Sequence, residues 1–174
     1  SGCVTALRAS SRRGWTKRRP DPRIAPADVT AYPAAMPGAA ALDDLAETFD
    51  LLGDWEERYR YVIELGQALA PLADAERNPD TKVSGCASQV WLVHDPVRDG
   101  TLHWRGDSDA HIVRGLIAIV LDLYNGLTPD QVRDFDAQGA ITRLGLPEAL
   151  SSQRANGLAS MIARLRADAA QTIR

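Results

Sequence analysis

From residue 41 onward the apolar positions recur with two periods. Leu42, Leu45, Phe49 and Leu52 lie three to four apart, the spacing of one helical face, and Gly53 stops that run. Asp54 then reads as an N-cap, with Glu57 three residues on in a capping-box pattern. Trp55, Tyr59, Val62, Ile63 and Leu69 give this second helix a core face up to about Ala70, and Pro71 ends it. From Ser88 the period shortens to two. Val90, Leu92 and His94 share one face of a strand, with Trp91 and Val93 on the other. Asp95-Pro96 and Asp99-Gly100 bracket a turn, and Leu102 to Arg105 supplies a second strand, so the spacing predicts a hairpin. A short stretch around Val83 brings the expected strand count to about three.

Helical spacing then returns. Gly106-Asp107-Ser108-Asp109 reads as the start of the longest apolar helix, Ile112 through Tyr124, with a stripe of Ile112, Leu116, Ile119, Val120 and Leu123 closed by Gly126. Two acids at such a start suit the helix macrodipole, and the alternative use of Ser108 or Asp109 is to orient a neighbouring loop. Thr128-Pro129-Asp130-Gln131 is another helix start, with proline at the first helical position and glutamine closing the box. Phe135, Ile141, Leu144 and Leu146 mark a broken segment leading to Pro147. Ser151 caps a last helix that carries Leu158, Met161, Ile162 and Leu165 on its apolar side. Helices, a small antiparallel sheet, then helices again make an α+β domain with helices covering one sheet face.

Residues 1–38 differ in kind. Arg8, Arg12, Arg13, Lys17, Arg18, Arg19 and Arg23 crowd one end, followed by Pro20, Pro22, Pro26, Pro33 and Pro37. No apolar period survives, so this stretch is expected to be a disordered basic leader, with the folded domain spanning 39–174. Asp21, Asp28 and the prolines argue against a transit peptide, and Met36, just before the first helix, is a candidate natural start. The rest of the composition is that of an ordinary soluble protein: 174 residues, 45% hydrophobic, net charge −3. No apolar run approaches the length of a bilayer-spanning helix, and the charge gives no reason to propose nucleic acid as partner. Two cysteines, Cys3 and Cys86, are too few for a disulfide framework, which points to a reducing, cytoplasmic setting.

Cys86 is the candidate for chemistry. It follows Gly85, lies between the loop signal Asn78-Pro79-Asp80 and the first strand, and has small neighbours in Ser84, Ala87 and Ser88. Glycine permits a loop conformation closed to other residues, and small neighbours leave a sulfur reachable. Loop amides aimed at the sulfur would lower its pKa, which is one expectation here. A metal or cluster site needs several soft ligands and a dithiol oxidoreductase a second thiol; Cys86 has no cysteine partner in the domain. A cysteine hydrolase with His94, His103 or His111 as base stays open, as does a thiol that only packs. The remaining reading is a single thiol that accepts a group and passes it on. Arg154, at the start of the last helix, is either a solvated charge or a contact for an acidic partner patch.

Four segments carry a resemblance. Tyr59 to Gly66 (YRYVIELG), Val83 to Trp91 (VSGCASQVW), Gly106 to Leu116 (GDSDAHIVRGL) and the pattern Leu150-Ser151-x-x-Arg154-x-Asn156-Gly157-Leu158 resemble the SufE family of cysteine desulfuration proteins, in order and from about Leu42 to the C-terminus. The resemblance implies a fold like that of the cluster scaffold IscU, without the extra cysteines that hold a cluster there. It also implies that Cys86 takes persulfide sulfur from a pyridoxal-phosphate cysteine desulfurase of the SufS type, stimulates that enzyme, and delivers the sulfur to an iron–sulfur scaffold. The chain itself is then expected to carry no cofactor and no metal. Gly85, Ser88, Gln89, Trp91, Ser108 and Asp109 become candidates for loop and pocket support, and Arg154 for partner binding. Val83, Val90 and Trp91 are expected to line a shielding pocket. Ala87 departs from the glutamine common in the family, which removes a side chain near the loop and leaves the backbone amides.

Overall fold

The structure is a computed structural model that describes residues 38–172. The expectations for residues 1–37, including Cys3, Met36 and the leader, lie outside the described residues. Helix α1 (Ala39–Leu51) buries Ala41, Leu45, Ala46 and Phe49. Helix α2 (Trp55–Ala68) starts as its sequence predicts, with the Asp54 carboxylate accepting from the Glu57 amide at 2.9 Å. The Glu57 carboxylate reaches back one residue further than a capping box requires, to the Gly53 amide at 2.9 Å. Trp55, expected in the core, is 36% exposed at the corner between the two helices. It occupies the first position of its helix, before the turn that meets the core.

The sheet has two antiparallel strands, β1 (Val90–His94) and β2 (Trp104–Ser108), in a register that runs from Val90 opposite Ser108 to His94 opposite Trp104. The third expected strand is reduced to a single bridge, Lys82 opposite Trp91, with the Val83 amide donating to Val90 and the Leu92 amide to Thr81. The Asn78 turn, closed by the Lys82 amide on the Asn78 carbonyl, and the turn at Ser84-Gly85 leave little extended chain between them for a longer pairing. The turn predicted at Asp99-Gly100 is present. Both residues have positive φ (51° and 76°), and Arg98 and Thr101 exchange backbone hydrogen bonds across it, as a two-residue hairpin turn requires.

The second strand lies further along the chain than its apolar pattern suggests. It takes in Gly106, Asp107 and Ser108, which read as a helix start, while Leu102 is buried before the strand begins. Helix α3 (His111–Tyr124) begins later, with Ala110 at its N-cap and no side-chain cap. Ser108 and Asp109 are therefore free for other bonds. The outer edge of β2 is satisfied by side chain and loop: Asn125 accepts from the Trp104 amide (2.7 Å) and donates to its carbonyl (3.1 Å), and Leu102 pairs with Gly126 and Leu127.

Helix α3 is the centre of the core, buried on nearly every side from Ile112 to Tyr124. A helix apolar all round must be covered all round, and α1, α2, β2 and the last helix do so. Gly66 of α2 and Gly115 of α3 let those two helices touch backbone to backbone. Helix α4 (Pro129–Asp134) carries the predicted Thr128–Gln131 capping box, and α5 (Ala137–Arg143) starts on the Asp136 carboxylate. Helix α3 stays the longest apolar one, while helix α6 (Ser152–Thr172), with 21 residues, is the longest described. Its Asp168 fastens it to the sheet by accepting from the Trp104 indole at 3.0 Å. The architecture is α+β, as the order of periods predicts.

Candidate functional site

Cys86 sits at the tip of the loop that leads into β1. Gly85 reaches φ 87°, a conformation that favours glycine, and a Cβ there would also come within 2.7 Å of the Ser160 hydroxyl on α6 and displace it. The loop thereby turns the cysteine inward, onto α6. Its Sγ donates to the Gly157 carbonyl at 3.6 Å, and the side chain is half-buried. Cys86 is the free cysteine among the described residues.

Beside the sulfur lies a cavity of about 20 Å³. Its apolar walls come from Val113 and Leu116 of α3 and from Gly157 and Met161 of α6; Ala87, Ser88, Gln153 and Arg154 edge it. The expected lining is not the observed one. Val83 and Val90 are core residues, and Trp91 lies half-buried on β1, because the inward turn at Gly85 aims the sulfur at α6 and not at the sheet. Of these walls, Gly157 left a trace in sequence: a glycine inside a helical pattern, just before the apolar stripe of Leu158, Met161 and Leu165, costs helix propensity and so asks for a packing reason.

The thiol is tuned opposite to expectation. Burial pushes the Cys86 thiol up from its ordinary value. The contact at its sulfur is an acceptor, the Gly157 carbonyl, which favours the protonated form. The resting state is a shielded thiol.

The far end of the loop is held at Gln89. Its amide donates to the Asp109 carboxylate at 3.0 Å, and its carbonyl accepts from the Ser108 hydroxyl at 2.6 Å and from the Asp109 amide at 3.4 Å. The Ser108 hydroxyl also accepts from the Ala110 amide at 3.3 Å. Ser108 and Asp109 thus join the end of β2 to the cysteine loop, three residues from Cys86.

Their own position rests on Asp107. This carboxylate is 3% exposed and accepts from Arg77 at 2.7 Å, from the Ser108 amide at 2.8 Å and from the Leu72 amide at 3.3 Å, with Arg114 at 3.2 Å. Burial alone would raise its pKa, but Arg77, the two amides and the Arg114 charge outweigh it and hold the carboxyl below the usual range. The sequence marks Asp107 only as one of two acids at a helix start, and its pairing with Arg77 and Arg114 has no local signal there.

The structure brings Gly85, Cys86, Ser88, Gln89, Ser108 and Asp109 together and leaves Trp91 on the strand beyond. Arg154 is exposed at the rim of the cavity and makes no ion pair with the described residues. No histidine lines that cavity: His94 stacks on Trp104, His103 bonds the Thr101 hydroxyl, and His111 is exposed at the start of α3. Among the described residues no three His, Cys, Asp or Glu side chains group to hold a metal ion, and no helix is long and apolar enough to cross a membrane.

Comparison with known proteins speaks to the family and the fold. Residues 43–169 match the family described as "SufE: Fe-S metabolism associated domain". A protein of Rhizobium etli named as an uncharacterized SufE-like protein is 53% identical over 134 residues, 75% of this chain and 90% of the relative. A second SufE-like protein, from Rhizobium meliloti, is 48% identical over 132 residues, 74% of this chain and 94% of the relative. The solution structure of a hypothetical protein from Thermus thermophilus superposes with a TM-score of 0.63, covering 76% of this chain and 96% of its own; at 21% identity this speaks for the fold. The chain belongs to the SufE family, whose domain is associated with iron–sulfur metabolism.

Proposed function

We propose that this protein is a sulfur acceptor: Cys86 takes sulfur from the persulfide of a SufS-type cysteine desulfurase and hands it to an iron–sulfur assembly scaffold. The observation that carries the reading is the pairing of one thiol at a loop tip with a small apolar recess beside its sulfur. A hydrolase needs a base beside its thiol, and the Cys86 recess has none. A carrier needs a thiol that is hidden in transit and presented at each end.

Because the resting thiol is protonated and turned inward, a docked desulfurase must draw the loop away from Gly157 before exchange. Solvation then lowers the thiol pKa towards its ordinary value, and the proton leaves to water. The Cys86 thiolate attacks the terminal sulfur of the partner's persulfide. A new S–S bond forms on Cys86, the partner's S–S bond breaks, and the electron pair departs with the partner's thiolate. Removing the sulfur from the desulfurase frees it for another turnover, which is how the carrier stimulates that enzyme. Pyridoxal phosphate belongs to the desulfurase and does none of its chemistry on this chain. A persulfide is more nucleophilic and more easily oxidised than a thiol, so withdrawal into the recess protects it between partners. Arg154, exposed at the rim, offers the docking partner a guanidinium for a carboxylate. The exchange requires a reducing compartment, so we place the protein in the cytoplasm.

The test is direct. With a SufS-type desulfurase, pyridoxal phosphate and cysteine, the parent protein should gain the mass of one sulfur on Cys86 and raise desulfurase turnover. Cys86→Ser should fold normally and do neither, since a hydroxyl stays protonated where a thiol ionises. Full stimulation by Cys86→Ser would refute the acceptor role.

A further inference from the structure

We infer that Gly157 is the gauge of this carrier, fixing its cargo at one sulfur atom and excluding longer sulfur chains and thiol adducts. The inference rests on the reading of Cys86 as a sulfur acceptor.

Gly157 is buried in the first turns of α6, where glycine costs roughly 1 kcal/mol of helix propensity relative to alanine. The resting thiol does not demand that cost. An alanine Cβ at this position would lie 3.5 Å from Cys86 Sγ, 3.9 Å from its Cβ and 4.0 Å from its Cα, which are ordinary contacts. The empty carrier could therefore keep its geometry with alanine present. What the missing methyl leaves open is the recess itself, about 20 Å³ between Gly157, Val113, Leu116 and Met161.

A second sulfur bonded to Sγ lies about 2 Å from it and must fit its own radius into that recess. The space admits about one water-sized guest. A terminal sulfur and an alanine methyl thus compete for one place, although a plain thiol and the methyl do not. A chain of two added sulfurs, or a glutathione adduct, exceeds the recess and holds the loop in its presented position. Bare thiol and persulfide are the states that can withdraw. Gly157 matters to the loaded carrier alone, which separates its role from mere packing.

The experiment compares parent, Gly157→Ala and Val113→Ala after loading with inorganic polysulfide, which needs no desulfurase. Intact mass counts the added sulfurs, and cyanide, which removes sulfane sulfur as thiocyanate, measures their shelter. Before loading, Gly157→Ala and parent should alkylate at Cys86 within about twofold, because the thiol contacts are unchanged. After loading, Gly157→Ala should lose its sulfur to cyanide about tenfold faster than parent. Val113→Ala, with an enlarged recess, should retain against cyanide a species with two added sulfurs, whose outer sulfur the parent gives up to cyanide as thiocyanate. It decides independently if the alanine at 157 perturbs folding. Equal cyanide rates in parent and Gly157→Ala, or a parent-like sulfur count in Val113→Ala, would overturn the inference. A parent that shelters polysulfide sulfur yet takes none from a desulfurase would instead refute the proposed function, and the cyanide rates would still judge the gauge.

Discussion

Replacing Asp109 with alanine isolates the force that keeps Cys86 turned inward. Three contacts hold Gln89, and the substitution deletes one, the amide-to-carboxylate bond of 3.0 Å; the Ser108 hydroxyl at 2.6 Å and the residue-109 amide at 3.4 Å remain. A hydrogen bond to a charged group contributes roughly 1.5–3 kcal/mol, and exposure of both partners brings this one to about 1–1.5 kcal/mol. Since 1.4 kcal/mol is tenfold in an equilibrium constant, the presented population of the loop should rise about tenfold. The helix should hardly notice, because Ala110 is the N-cap of α3 and the Asp109 side chain does not cap it. Global stability should therefore fall by no more than that one bond, about 1–1.5 kcal/mol, since no helix cap is lost with it. The assay is the rate of Cys86 alkylation with a small iodoacetamide and with a bulky maleimide, alongside urea unfolding. The bulky reagent needs the loop fully out, so its rate should rise about tenfold and the small reagent's rate less. Unchanged rates with both reagents would show that Gln89 is not the latch, and the reasoning would fail.

Two further outcomes follow from the carboxylates of Asp107, which is buried, and Asp122, which is half-buried. Asp107→Asn should destabilise the fold by about 3 kcal/mol, the low end for removing one member of a buried pair, because Arg77 and Arg114 keep some solvent. Its parent carboxyl is depressed, so the stability it supplies is present above the unfolded pKa and lost as pH falls through the folded value; the parent's acid loss should be blunted in Asp107→Asn when unfolding is measured against pH. Asp122 has the opposite sign. Burial pushes it up to about 6, so the folded state binds its proton more tightly and loses stability as pH rises through that range. Asp122→Asn should raise Tm at about pH 8 and lose that advantage at about pH 4, and a Tm gain independent of pH would contradict the burial argument.

The helices and the hairpin were legible because their apolar periods are local. Leu42 to Leu52, Val90 to His94 and Ile112 to Leu123 each declare themselves within a dozen residues, and the Thr128 and Asp54 caps fix where helices start. Gly106-Asp107-Ser108 misled for a physical reason. Glycine, aspartate and serine are poor strand formers, and here the strand is sustained by arginines at 77 and 114 that close on a buried carboxylate. The same applies to the site. Gly85-Cys86 announces a loop by itself, whereas Val113, Leu116 and Met161 look like any core residues until α3 and α6 bring them to the sulfur. Ser108 and Asp109 were readable as short polar groups with two possible uses, and only the late start of α3 decides between them.

The hydrogen bond from Cys86 to Gly157 also determines what the resting thiol ignores. Peroxide, disulfides and stray electrophiles react with thiolate in proportion to how much of it they meet, and a protonated, inward sulfur offers them little. In the proposed role, the encounter that matters is with a surface that can grip the loop and pull, and selectivity lies in that mechanical act and not in the intrinsic reactivity of the sulfur. A cell can hold such a protein at high concentration without turning it into a sink for oxidants.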